Sequence, residues 1–135
     1  MTFRILITGS RTWEDRQAIR DALRSVWREA GSPQDAVLVS GASPKGADRM
    51  CEEVWAFNGL AVERHPAAWR THDEQCPESH RGQDTCKRAG FRRNAEMVAL
   101  GADVCIGFIR DGSAGATSTV NLAQRAGIRT VVCEA

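Results

Sequence analysis

Short apolar runs alternate with amphipathic stretches along this chain, a pattern typical of α/β proteins. The apolar residues within each run are nearly continuous, as expected for a parallel sheet covered by helices on both faces. The sequence therefore predicts a three-layer α/β sandwich with a mostly parallel five-stranded sheet. The five predicted strands are Phe3–Thr8, Ala36–Ser40, Leu60–Arg64, Val104–Ile109 and Thr130–Cys133.

Four helices are predicted between these strands. The first carries its apolar side chains on one face and ends before Gly31, and the second keeps helical apolar spacing from Ala47 to Trp55. Further helices are predicted at about Arg92–Leu100 and Thr117–Ala126. Because no repeat or low-complexity linker interrupts the chain, we expect one domain over residues 1–135.

Composition narrows the classes of function. The chain has 135 residues, of which 42% are hydrophobic, and its 18 Lys and Arg residues nearly balance 17 Asp and Glu residues. This balance disfavours a binder of polyanions held by a basic surface, although Lys87–Arg93 forms a local cationic stretch. Without a charged leader or an apolar run of membrane length, we expect a cytoplasmic protein with reduced cysteines and no membrane partner.

Glycine-containing turns follow three of the predicted strands. In a parallel sheet such turns lie at one edge, where open α/β folds bind ligands. Glycine allows the backbone to approach an anion, and each following helix offers unpaired N–H groups. No Walker loop and no Gly-x-Gly-x-x-Gly fingerprint is present. The candidate ligand-binding residues of these turns are Gly9, Ser10 and Arg11, then Gly41, Ala42, Gly46 and Asp48, then Gly112, Ser113, Gly115 and Thr117.

Four motifs, in this order, resemble those of the SLOG superfamily, a Rossmann-like group that includes the LOG phosphoribohydrolases and DprA. The YspA/YpsA-related branch of actinobacteria and their phages is the most similar. The resemblance spans nearly the whole chain except about Arg70–Arg88. The motifs are Ile7-Thr8-Gly9-Ser10-Arg11, Ser40-Gly41-Ala42 with Gly46-Ala47-Asp48, Gly90-Phe91-Arg92-Arg93-Asn94-Ala95-Glu96-Met97, and Gly112-Ser113-Ala114-Gly115.

The resemblance implies a Rossmann-like fold that binds a nucleotide or a nucleotide-derived small molecule at the strand ends. It also implies that Arg93 matches the catalytic arginine of LOG enzymes, with Arg92 and Asn94 beside it as candidate ligand-binding residues. The position of the LOG glutamate falls on Thr119, which has no carboxylate. Glycoside cleavage needs a carboxylate, so Asp48 and Asp111 become the candidate replacements for a catalytic role, with Glu96 as a weaker one.

Two tryptophans lie next to the candidate site in the sequence. Trp13 closes the first glycine turn, and Trp69 follows the third strand. Either indole could stack on a base, or it could pack against the neighbouring loop. Both interpretations stay open for Trp13 in particular.

The segment from about Arg70 to Arg88 is polar, lacks apolar periodicity and is unusually long for a loop inside a domain. It carries His72, Cys76, His80 and Cys86, two imidazoles and two thiols, which together form a natural tetrahedral zinc set. The sequence predicts a small insertion held by structural zinc, with His72 as the least secure ligand.

Three other interpretations of these residues remain: free thiols, a Cys76–Cys86 disulfide, and surface histidines placed by chance. A reducing cytosol disfavours the disulfide. The other cysteines, Cys51, Cys105 and Cys133, fall in apolar runs and are expected in the core.

Three functions follow from these observations. The first is binding of a nucleotide-like small molecule as a sensor, a sponge or a weak enzyme. The second is LOG-like N-glycosidic or phosphoester hydrolysis with Arg93 and either Asp48 or Asp111. The third is a nucleic-acid-binding module, which the charge balance disfavours. Many parallel-sheet proteins associate, so a homo-oligomer is a further expectation by analogy.

Overall fold

The computed structural model describes residues 2–86 and 88–135, so Lys87 of the cationic stretch lies outside the described residues. Strands and helices alternate in the order that the sequence predicts, with one additional short helix. They are β1 (Arg4–Gly9), α1 (Arg16–Glu29), β2 (Val37–Ser40), α2 (Ala47–Phe57), β3 (Ala61–Arg64), α3 (Glu78–Arg81), α4 (Ala89–Leu100), β4 (Val104–Ile109), α5 (Ala114–Arg125) and β5 (Arg129–Glu134).

The five strands form one sheet in the order β3-β2-β1-β4-β5. Every pairing among the described strands is parallel, so the predicted "mostly parallel" sheet is parallel throughout. This order, with strands added outward on both sides of β1, is that of a doubly wound Rossmann-like fold. The predicted α/β class is confirmed. The connection changes direction between β1 and β4, which makes the carboxyl ends of these two strands the natural crevice for a ligand.

The sheet is buried on both faces, which explains the continuous apolar runs. Successive side chains of a strand point to opposite faces. Ile5 and Ile7 accordingly join the core cluster that contains the buried residues of α1 and α2, whereas Leu6 joins the cluster of α4 and α5. The inner strands β1 and β4 therefore carry apolar side chains on both faces, whereas the edge strands β3 and β5 are partly exposed and include charged residues.

Two helices begin earlier than the periodicity predicts. Helix α4 starts at Ala89 rather than Arg92, and α5 starts at Ala114 rather than Thr117. Each takes a glycine, Gly90 or Gly115, into its first turn, where the lower helix propensity of glycine costs least. In the described part of the chain, no helix is long and apolar enough to span a membrane.

The polar segment is not structureless. It contains the short helix α3, which begins directly after Pro77, the first place at which the proline permits a helix. Its buried residues are Cys76 and Cys86, which form a separate small cluster with Ala89 at the start of α4. The segment therefore has only a few apolar side chains with which to hold its own structure.

Candidate functional site

A pocket lies at the carboxyl ends of the strands, where the fold predicts a ligand. Its walls come from the turns after β1 and β2, from the first turns of α2 and α5, from the second and third turns of α4, and from the chain that follows β3. The pocket brings together eight of the residues predicted from the sequence. They are Gly9, Arg11, Gly41, Ala42, Asp48, Arg93, Asn94 and Gly115.

Asp48 and Arg93 form the charged centre of this pocket. Asp48 stands in the first turn of α2 and is only 6% exposed. Burial raises the pKa of Asp48 to about 6, even though the Ser43 N–H donates to its Oδ2 at 3.1 Å and Arg93 carries a positive charge nearby. Burial also lowers the pKa of Arg93, which the charge of Asp48 partly counteracts. The pocket thus contains a carboxyl group that titrates near neutral pH.

The guanidinium of Arg93 is held in a defined orientation. Its Nε donates to Asn94 Oδ1 at 2.8 Å, and its Nη1 donates to the carbonyl oxygens of Gly41 and, at 3.2 Å, His65. The acceptors of these three hydrogen bonds lie on α4 itself, in the turn after β2 and directly after β3. Among the described residues, the Nη2 of Arg93 has no hydrogen-bond acceptor, which leaves it for an anion in the pocket.

Two glycines of the second turn have different roles. A Cβ atom on Gly41 would lie 2.8 Å from Arg93 Cζ and 3.1 Å from Asp48 Oδ2, so glycine here makes room for the charged pair. Gly46 has a φ of +78°, and a Cβ atom on it would lie 2.4 Å from the Ser10 carbonyl oxygen. Gly46 therefore packs one loop against another and does not line the pocket.

The indole of Trp69 forms one wall of the pocket. Trp69 is 38% exposed, and the Arg11 guanidinium lies 5.5 Å from the ring centroid, within range for a cation–π interaction. From sequence, either Trp13 or Trp69 could stack on a base, and only Trp69 lines the pocket. Its position after a strand was the only signal.

Trp13 has the opposite placement. It is 2% exposed, packs edge-on against Phe108 at 5.5 Å, and donates its indole N–H to the Asp15 carbonyl at 2.9 Å. The suggestion that Trp13 stacks on a base is therefore wrong, because its ring faces are used in the core. It supports the first turn from beneath.

Several other predicted ligand-binding residues lie beside the pocket and do not line it. Ser10 is buried, and its hydroxyl exchanges hydrogen bonds with the backbone of Arg110. This pairing joins the turns after β1 and β4. Asp111 has an 86% exposed side chain, so the structure does not support it as a buried catalytic carboxylate. The remaining three, outside the pocket lining, are Gly112, Ser113 and Thr117.

A second group of side chains lies in the polar segment. One ring nitrogen of His72 and the sulfurs of Cys76 and Cys86 lie within 4.8 Å of one another. The two sulfurs are 3.6 Å apart. His72 Nε2 is 2.9 Å from the Gln83 carbonyl oxygen, which can only accept, so Nε2 carries the proton and Nδ1 has a free lone pair. Nδ1 is buried and has no hydrogen-bond partner among the described residues.

This group corrects two predictions. The sequence included His80 as a ligand, but among the described residues His80 is not part of the group. His72, which the sequence analysis gave as the least secure ligand, does belong to it. Arg92, a candidate ligand-binding residue from the sequence, instead points its Nη1 at Cys86 Sγ (3.4 Å) and Cys76 Sγ (3.6 Å). The reason is helical geometry: consecutive residues on α4 point in directions about 100° apart, so Arg92 and Arg93 face different sites.

Of the three remaining cysteines, which were all expected in the core, two lie there and one is only partly buried. Cys51 and Cys105 are fully buried, and Cys133 is half-buried. Burial raises the pKa of the Cys105 thiol to about 12, which keeps it protonated and unreactive.

Comparisons with known proteins agree with this fold and with the motif order. The sequence model of the YspA, cpYpsA-related SLOG family matches residues 3–72, which contain β1, β2, β3 and the first two glycine turns. The chain belongs to this SLOG family. The Gene 61 protein of Mycobacterium phage D29 is 37% identical over 134 residues, 95% of this chain and 94% of that protein.

The SLOG fold is also found in a solved structure, DNA processing protein A (DprA) from Streptococcus pneumoniae. It superposes with a TM-score of 0.71 at 15% sequence identity, over 97% of this chain. The chain spans about half the length of that DprA chain, since the match covers 50% of it. At this identity the likeness concerns the fold.

One SLOG position bears directly on chemistry. Thr119, where the LOG glutamate would fall, is fully buried in α5, and its hydroxyl donates to the Gly115 carbonyl at 3.1 Å. It neither lines the pocket nor offers a carboxylate. Glu96 is exposed on α4, outside the pocket lining as well. Asp48 is the carboxylate that lines the pocket of this SLOG protein.

Proposed function

We propose that this protein binds a nucleotide or a nucleotide-derived small molecule in the pocket at the carboxyl ends of β1, β2 and β3. The observation that carries the proposal is the half-buried Arg93, which three hydrogen bonds orient while its Nη2 has no protein acceptor among the described residues. A guanidinium held in this way suits a phosphate group. The near balance of 18 Lys and Arg residues against 17 Asp and Glu residues favours a small molecule over a polynucleotide.

The other pocket residues suit the remaining parts of such a ligand. The backbone around Gly9 and Gly41 can approach phosphate oxygens closely. Trp69 offers a partly exposed indole on which a base can stack. Asp48 can accept hydrogen bonds from ribose hydroxyl groups, which is a common way in which α/β folds bind nucleotides.

A thermal-shift panel with AMP, the other nucleoside monophosphates and ADP-ribose tests this proposal. A ligand that binds the native state at 100 times its Kd stabilises it by about 2.7 kcal/mol, so the melting temperature must rise. Arg93→Gln should abolish the shift. Arg20→Gln, the same change on an exposed residue of α1, is the matched control and should keep it. If no compound shifts the wild-type protein, the proposal is rejected.

A second candidate function is hydrolysis of the bound nucleotide. The observation that favours it is the pKa of about 6 at Asp48, because a carboxyl group that titrates near neutral pH suits general acid–base catalysis. Release of free base or phosphate from nucleoside monophosphates would identify the reaction. Asp48→Asn should then remove turnover and retain ligand binding, whereas Arg93→Gln should remove both.

We also propose that the group of His72, Cys76 and Cys86 binds structural zinc. Ligands about 2.0 to 2.3 Å from a tetrahedral zinc ion are separated by about 3.3 to 3.8 Å, close to the 3.6 Å between the two sulfurs. The Nε2–H···O bond from His72 to Gln83 is the kind of outer contact that orients a ligating imidazole. Asp73, whose Oδ1 lies 3.3 Å from Cys76 Sγ, or a water molecule would complete the coordination.

Metal analysis of protein purified without a nickel column tests this assignment. About one equivalent of zinc is expected, and less than about half an equivalent would reject a stoichiometric site. His72→Ala and Cys86→Ser should lose the metal. His80→Ala should retain it, which separates the site in the structure from the set predicted by sequence spacing.

A further inference from the structure

The metal group and the ligand pocket share a wall. Pro66, Ala67 and Trp69 line the pocket, and all three belong to the chain that leads from β3 into the polar segment. Ala67 also packs against the cluster of Cys76, Cys86 and Ala89. One short stretch of backbone is therefore in contact with both sites.

Most of the described contacts that hold Trp69 in place come from residues at or beside the metal group. The backbone N–H of Cys86 donates to the Trp69 carbonyl oxygen, so a candidate metal ligand is hydrogen-bonded to the residue that forms the pocket wall. The indole lies against Gly90, where an added Cβ atom would be 3.0 Å from the ring. On the pocket side, its described polar contact is the Arg11 guanidinium.

Arg92 forms a second connection between the metal group and this wall. Its Nη1 reaches both sulfurs, and its Nη2 donates to the carbonyl oxygen of Thr71, two residues after Trp69. Asp73 Oδ2 lies 3.4 Å from the same guanidinium. If Cys76 and Cys86 bind a metal as thiolates, their negative charge draws Arg92 toward them and strengthens this arrangement.

We infer that metal binding orders the pocket wall and so controls affinity for the ligand. The segment has few buried apolar side chains, so without the metal its hydrogen bonds alone must hold it, and such regions open locally. Metal binding supplies the missing free energy of ordering. Because linkage is reciprocal, ligand binding at Trp69 must also increase metal affinity. This inference rests on the proposed function for its ligand, and the ordering of the wall can be measured without one.

Hydrogen exchange with and without zinc tests the ordering. After chelation, the amides of Thr71 and Cys86, which donate to the carbonyl oxygens of Ala68 and Trp69, should exchange at least about tenfold faster, while those of β1 and β4 should keep their protection. Cys86→Ala should reproduce the effect of chelation. Cys133→Ala, a change at a half-buried cysteine in β5, is the control and should behave as the wild-type protein does.

Titration with AMP and with ADP-ribose then tests the control of affinity. Zinc removal should weaken binding about tenfold or more, and saturating ligand should slow zinc loss to a chelator by a similar factor. If neither compound binds the zinc-loaded protein, the proposed function fails, and the exchange measurement still decides whether the metal orders the wall. Equal affinity with and without zinc overturns the control of affinity, and unchanged exchange at the amides of Thr71 and Cys86 overturns the ordering. Loss of protection in β1 and β4 on chelation would also overturn the inference, since the metal would then hold the whole domain.

Discussion

Asp48 illustrates the conflict between function and stability at a single residue. Its carboxyl group is buried beside Arg93, and burial raises its pKa from 3.8 to about 6. A group whose pKa is raised on folding binds a proton more tightly in the native state, so the native state loses stability as the pH rises through the interval between those two values. The protein retains a costly carboxylate at a position where a neutral side chain would be more stable.

Asp48→Asn should therefore stabilise the protein in a pH-dependent manner. Above pH 6 the variant should gain up to about 3 kcal/mol in the free energy of unfolding, because it avoids burying a charge and its amide oxygen can still accept from Ser43. Near pH 4 the two proteins should be equally stable, since Asp48 is then protonated in the native state. Urea unfolding at pH 4 and pH 8 measures the difference. A gain of the same size at both values would show that ionisation is not its cause.

Two glycine substitutions in one turn should separate binding from folding. In Gly41→Ala the atoms nearest to the new methyl group are the ends of the Arg93 and Asp48 side chains, which can move, so stability should change little and AMP affinity should fall at least tenfold. In Gly46→Ala the methyl group meets the backbone of Ser10 and Arg11 at a positive φ, which should cost about 2 to 4 kcal/mol. Calorimetric titration and urea unfolding of both variants provide the two measurements. Intact AMP affinity in Gly41→Ala would exclude the assigned role of Arg93.

At the scale of elements, sequence patterns predicted what depends on local periodicity. All five strands and the four main helices were predictable because buried parallel strands and amphipathic helices carry strong apolar signals. The position of Asp48 could also be expected, since it follows the glycine turn after β2, and that of Arg93 could be expected from the resemblance of its motif to the LOG enzymes. The sequence could not predict that Arg92 faces the sulfurs and Arg93 faces the pocket, because this depends on the rotation of α4 about its own axis. The same holds for Trp13 and Trp69, whose placement depends on tertiary packing.

The polar segment should behave as a separable element when its metal is removed. The cluster of Cys76, Cys86 and Ala89 buries too little apolar surface to keep the segment folded without the metal. Trypsin should therefore cut after the exposed Arg70 and Arg81 about tenfold faster in zinc-free protein, because proteolysis requires local opening. Mass spectrometry of the fragments identifies the cleavage sites.

The exposed arginines of α1 serve as the internal control for this digestion. Arg20, Arg24 and Arg28 lie in a helix that contributes to the main core, so they should resist cleavage in both forms. Equal rates of cleavage after Arg81 with and without zinc would contradict the metal's role in holding the segment.

At the scale of the whole molecule, the two faces of the sheet contribute different properties. The larger core cluster lies under α1 and α2 and includes Trp13 and Trp55, so this face provides most of the packing that holds the sheet. The smaller cluster lies under α4 and α5. The first two turns of α4 contribute to both candidate sites, and the first turn of α5 lines the pocket. From the other face, α2 contributes Asp48 to the pocket, so the ligand site lies where the two faces meet at the sheet edge, whereas the metal group lies on the α4 side alone.

The adjacent arginines at the start of α4 also have a consequence for inheritance. Because Arg92 faces the sulfurs and Arg93 faces the pocket, the insertion or deletion of one residue in this turn would redirect both guanidinium groups at once. A descendant of this protein can change either arginine by point substitution. An insertion or deletion, however, rotates both side chains about the helix axis, so it cannot alter one site without disturbing the other. Both sites therefore depend on the same helical register. Among descendants, the number of residues at the start of α4 should vary less than the lengths of the loops around it.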